Sequence, residues 1–116
     1  MKVKVLSIES EGLKFTDGFS IYSDHRSDCC EWHWMETEAL TMKDFDGLEF
    51  DLSNDNFFKR IEDYGIELVP IHGHSVKIPC YGNNNGYYSN QLDLVLFKDE
   101  KQIKTYDITD CQEESG

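Results

Sequence analysis

The chain has 116 residues, 11 Lys plus Arg against 23 Asp plus Glu, and a formal charge of −12. That length suits one domain able to bury a core without staples. The acidity excludes direct binding to phosphate backbones or anionic membrane surfaces, both of which need clustered cations, and no run approaches the roughly 20 apolar residues of a spanning helix.

The first residues, Met1 to Leu6, alternate charged and apolar side chains. That is a strand pattern, not the continuous apolar stretch of a signal peptide. With no lipidation signal and no Asn-x-Ser/Thr sequon, the expected compartment is the cytoplasm, where Cys29, Cys30, Cys80 and Cys111 stay reduced. In an oxidising compartment Cys80 and Cys111 would each be able to take one of the adjacent pair. Charge is uneven along the chain. Residues 24–67 carry thirteen acids and four bases, residues 1–23 and 68–109 are balanced, and residues 110–116 add −3.

Val3, Val5, Leu6 and Ile8 mark a first strand. Leu13–Thr16, Asp17-Gly18 and Phe19–Ser23 read as a hairpin, because Asp-Gly accepts the positive φ that a tight turn imposes. Cys29 to Glu36 alternates again and is predicted as a strand. In residues 37–52, Leu40, Phe45, Leu48 and Phe50 are expected to pin a loop or short helical turn to the core. Phe57, Phe58, Ile61 and Tyr64 fall at helical spacing, so 54–64 is predicted as a helix, with Ser53 or Asn54 as its cap and Gly65 at its C-terminal end. Ile66–Ile71, with Pro70 near an edge or end, and Val76–Tyr81 read as strands. Gly82–Gly86 is a turn-rich loop. Gln91–Phe97 and Ile103–Ile108 form a second hairpin around Asp99-Glu100. The expected fold is therefore α+β, a mostly antiparallel sheet of about seven strands with one packed helix near 54–64, since no βαβ alternation occurs. Residues 1–111 are expected to form a single globular domain and 112–116 a disordered tail.

One cluster carries chemistry. His25, Asp28, Cys29, Cys30, Glu31 and His33 are all metal-ligand or acid–base types. On a strand, Cys29, Glu31 and His33 share one face, while Cys30 joins Trp32 and Trp34 on the face that wants burial. A metal site would unite Cys29 and His33 with His72, His74 or Cys80, although the spacing matches no structural zinc pattern. A nucleophilic Cys29–His33 pair is opposed by the surrounding acids, which raise a thiol's pKa. Asp44–Asp51 fails the EF-hand pattern, because Met42 and Ser53 would occupy its first and twelfth positions. Gly86-Tyr87-Tyr88-Ser89-Asn90 reads either as a recognition surface or as alternate tyrosines flanking a core.

His25-Arg26-Ser27-Asp28-Cys29-Cys30-Glu31 resembles the His-x-x-Asp-Cys-Cys-Glu signature of a family of small, uncharacterised phage and bacterial proteins. Asn85-Gly86-Tyr87-Tyr88-Ser89 is similar to a second segment of the same family. The resemblance spans roughly residues 5–97 and departs at Trp32-His33-Trp34, where that family has an aliphatic strand. It implies a phage or mobile-element origin and a domain of unknown function. It supplies no reaction.

The chain thus reads as a non-enzymatic binding or accessory domain without a cofactor, with a protein partner or a second copy of itself as its company. Two alternatives stand beside it. One is a metal-binding or thiol-dependent activity centred on Cys29, Glu31 and His33. The other is an acidic decoy that occupies a nucleic-acid-binding protein by imitating phosphate charge.

Overall fold

A computed structural model describes residues 2–24, 32–83 and 92–114, with the backbone alone at 32–34, 82–83, 110 and 112–114. The chain starts with β1 (Val5–Glu9), β2 (Gly12–Phe15) and β3 (Phe19–Asp24). The turn between β2 and β3 holds Asp17 at φ 63° and Gly18 at φ 81°, so the Asp-Gly pair supplies the positive φ expected of it. Next come β4 (Trp32–Met35), β5 (Phe58–Ile61), β6 (Gly65–Leu68) and β7 (Val76–Asn83). The last strands are β8 (Asp93–Lys98), β9 (Lys101–Asp107) and β10 (Gln112–Glu114). The β8–β9 turn again uses two positive-φ residues, Asp99 at 52° and Glu100 at 69°.

The strands make two sheets. One runs β1-β2-β3-β8-β9, antiparallel throughout. The other runs β10-β7-β6-β5, with β4 also paired to β7. The eight-residue β7 serves two sets of neighbours. Val76–Pro79 pair with β6, while Cys80–Asn83 pair with β4 and Cys80–Gly82 with β10. Register puts apolar residues opposite one another, Leu13 against Ile21 and Ile21 against Leu96 in the first sheet. In the second sheet Ile66 faces Ile78, Leu68 faces Val76 and Met35 faces Cys80. These side chains belong to one buried cluster, as the period of two along a half-buried strand requires.

Three expectations are corrected. The fold is all-β, not α+β: the described residues form ten strands and only single 3-10 turns. The predicted 54–64 helix is instead a 3-10 turn at Asp55–Phe57 followed by β5 and a turn into β6. Asn54 does act as a cap, its side chain accepting from the Asn56 amide at 2.9 Å, but it caps one turn. Phe57 and Phe58 are both buried, and Phe58–Ile61 pair with Leu68–Gly65. An isolated 11-residue helix is marginal without tertiary support, whereas aromatic and β-branched residues favour an edge hairpin that extends an existing sheet. Asp63, at φ 60°, turns that hairpin. Finally, Gln112–Glu114 of the expected disordered tail pair in parallel with Cys80–Gly82 as β10. Antiparallel pairing dominates as expected, and the β7–β10 pair departs from it.

Residues 37–52 are pinned as their anchors suggested. Phe45, Leu48, Phe50 and Leu52 are buried and Leu40 packs against them. Val3 and Phe50 exchange backbone hydrogen bonds of 2.9 and 2.8 Å. No helix among the described residues is long and apolar enough to cross a membrane.

Candidate functional site

Of the residues singled out in the sequence, His25, Asp28, Cys29, Cys30 and Glu31 lie outside the described residues, as do Asn85, Gly86, Tyr87, Tyr88 and Ser89. His33 sits on β4 opposite Gly82. His74 donates from Nε2 to the Asp44 carbonyl at 3.0 Å, so this nitrogen holds the acidic loop in place. His72 is exposed. Among the described residues no group of three or more His, Cys, Asp or Glu side chains is arranged to hold a metal ion.

The structure builds its most distinctive polar arrangement elsewhere, where β9 meets the turn that precedes β5. Side chains two apart on a strand share a face, and Lys104 and Tyr106 both reach Asp55. Lys104 Nζ and the Tyr106 hydroxyl each donate to Asp55 Oδ1 at 2.8 Å. Beneath them the Tyr106 ring stands edge-on to Phe57 and Phe58, at centroid distances of 5.8 and 5.0 Å. Arg60 Nη1 donates to the Asp107 carbonyl at 3.1 Å. This clamp ties the end of the first sheet to the second.

The bonds from Lys104 and then Tyr106 hold the Asp55 carboxyl below its usual range. Partial burial, and then the bond to Asp55, push the Tyr106 phenol above its own range. The consequences for stability have opposite signs. Asp55, with its folded pKa lowered, contributes fully above about pH 4 and loses that contribution as pH falls through the folded value. Tyr106, with its folded pKa raised, contributes fully below about pH 10 and loses it as pH rises. Urea unfolding of wild type and Asp55→Asn should therefore differ between pH 5 and 9 and converge in acid. Equal pH profiles for the two proteins would refute the clamp. The effect is small because Asp55 is solvent-exposed and exposed pairs are screened.

The clamp fixes β9 at its Tyr106–Asp107 end, and no described strand pairs with the far edge of Lys101–Thr105. Among the described residues β9 pairs only with β8, and Lys101–Thr105 are exposed. The register jumps there. Leu96 opposes Lys104 and Phe97 opposes Gln102, so Ile103 is an extra residue, a bulge. Bulges re-aim side chains, and Ile103 is 50% exposed. An open edge with one re-aimed aliphatic side chain is equipped for backbone pairing with an extended chain. Sequence reading placed Ile103–Ile108 on a strand. It missed this feature because a bulge depends on the cross-strand partner, and nothing in Lys101-Gln102-Ile103-Lys104 announces one.

One family model matches the chain, Domain of unknown function (DUF7448), over residues 1–94. The match runs from the N-terminus into β8. No curated protein and no solved structure matches.

Proposed function

The chain belongs to the Domain of unknown function (DUF7448) family, and on that premise we propose that it is a non-enzymatic binding domain that takes an extended segment of a protein partner along β9. The observation that carries this reading is the open, bulged edge of a strand that is otherwise clamped. A clamped edge loses little further entropy when it pairs. Two β9 strands in a centred antiparallel register would set Lys104 of each against Lys104 of the other and Lys101 against Asp107. Lys101 favours a partner segment with an acid at the facing position, while Lys104 is held by Asp55. A phage or mobile-element origin is inferred from the likeness at His25–Glu31 and Asn85–Ser89.

Ile103→Glu tests the reading. Its side chain is exposed, so folding stability should change by no more than about 0.5 kcal/mol. Partner affinity should fall at least about tenfold, the scale of an interface anchor. The full chain would be used to capture a partner from cells that express it naturally, with lysine cross-links mapped. Cross-links from Lys101 or Lys104, and loss of the partner with Ile103→Glu, support the proposal. A partner retained by the variant, or cross-linked only to the second sheet, sinks it.

A further inference from the structure

Cys80 and Cys111 are the two described cysteines, and both are buried in the same core cluster. The β7–β10 register sets Gln112 opposite Cys80. Cys111 is therefore the residue next to Cys80's own cross-strand partner. The surroundings of the two thiols differ. Burial, and then the nearness of Cys111, push the Cys80 thiol up to about 12. Cys111 is scarcely more exposed, at 1% against 0% for Cys80, but it borders an open cavity of about 560 Å³ also lined by Lys59, Arg60 and Glu62. In a chain of −12, two adjacent cations at one opening are a local exception.

We propose that Cys80 and Cys111 form a dithiol that a small anionic disulfide, of the glutathione disulfide class, oxidises through the Lys59–Arg60 cavity, stapling β10 to β7. The chemistry is two thiol–disulfide exchanges. Cys111 loses its proton, and its sulfur attacks one sulfur of the reagent. The reagent's S–S bond breaks, and one thiol departs with a proton. Cys80 then loses its proton and attacks Cys111 Sγ in the mixed disulfide, releasing the second thiol. Two electrons pass from the protein dithiol to the reagent, so one disulfide is made for one reduced to two thiols. Roles follow from position. Cys111, on the cavity that an anionic reagent would enter beside Lys59 and Arg60, attacks first once local opening uncovers its sulfur. Cys80, shielded within the sheet, resolves. Closure joins residues 31 apart in sequence, 80 to 111, and so constrains the unfolded chain.

The test equilibrates the full chain with glutathione disulfide over a range of thiol-to-disulfide ratios. Samples are quenched in acid, free thiols are alkylated, and non-reduced peptides are mapped by mass spectrometry. A Cys80–Cys111 linked peptide about 2 Da below the sum of its reduced parts is expected, together with a higher Tm. It should persist in the C29S/C30S variant. Lys59→Gln/Arg60→Gln should slow closure several-fold with glutathione disulfide but not with neutral hydroxyethyl disulfide. Alkylation of both Cys80 and Cys111 at every ratio would overturn the proposal. So would bridges running only to Cys29 or Cys30, or a Cys111–glutathione adduct that never resolves. Equal slowing with both reagents would remove the role of the cations.

Discussion

Replacing Phe50 by Ala should cost about 3–5 kcal/mol, the range for a fully buried aromatic ring and a large fraction of the roughly 5–15 kcal/mol that holds a domain. The site looks unpromising in the sequence, because Phe50 lies in a stretch with seven acids between Glu36 and Asp55 and outside any named strand. Yet its side chain is fully buried, and its ring meets that of Phe15 edge-on at 5.9 Å. Its amide and carbonyl both bond Val3, which fixes the chain where the ring enters. Phe45, Leu48 and Leu52 enter the same core nearby. Truncating the ring removes apolar contact and leaves a cavity that a segment pinned on both sides cannot collapse to fill. Met42→Ala is the control, since Met42 is exposed and should shift stability by no more than about 0.5 kcal/mol. Urea unfolding monitored by tryptophan fluorescence checks both. Equal, small losses for the two variants would mean that the acidic segment is a surface ornament and not a wall of the core.

This arrangement also explains how the charge fits the fold. The thirteen acids of residues 24–67 did not prevent packing, because the apolar residues recur between them and enter the core singly. That pattern was legible: Leu40, Phe45, Leu48 and Phe50 were identifiable as anchors, since isolated large apolar residues in an acidic stretch have few other places to go. Both hairpins around Asp17-Gly18 and Asp99-Glu100 were legible too, because turn chemistry is local. The 54–64 segment was not. Phe57, Phe58, Ile61 and Tyr64 satisfy a helical face, but burial on two sides of a strand places the adjacent phenylalanines equally well. The decision lay with β6, which offers β5 a partner. The parallel β7–β10 pair joins residues about thirty apart, and the Ile103 bulge depends on β8, so neither has a local signature. The cysteine motif at residues 25–31 falls outside the described residues, and the open edge of β9 became the candidate site on structural grounds alone.

Gly65 separates the two readings of that segment by experiment. As the residue ending a helix, it would be needed for a left-handed backbone, which Asn also tolerates. In the structure it opens β6 opposite Pro79, and the need is for space. A Cβ there would collide with the Ile78 carbonyl oxygen and lie 2.7 Å from the Cys80 amide nitrogen and 2.8 Å from the Pro79 Cα. All three are backbone atoms of β7, which cannot rotate aside as a side chain would. The Cys80 amide is also committed, donating to the Tyr64 carbonyl at 2.8 Å, so relief of the clash must stretch the contact that joins β6 to β7 at this end. Gly65→Ala should therefore cost about 3 kcal/mol, the upper part of the usual range for overpacking. Larger residues should cost more, in the order Ala, then Asn, then Val. Thermal and urea denaturation of the three variants measures this directly. If Asn proved milder than Ala, the backbone angle rather than the space would be the constraint, and the strand reading of residues 58–68 would fail with it.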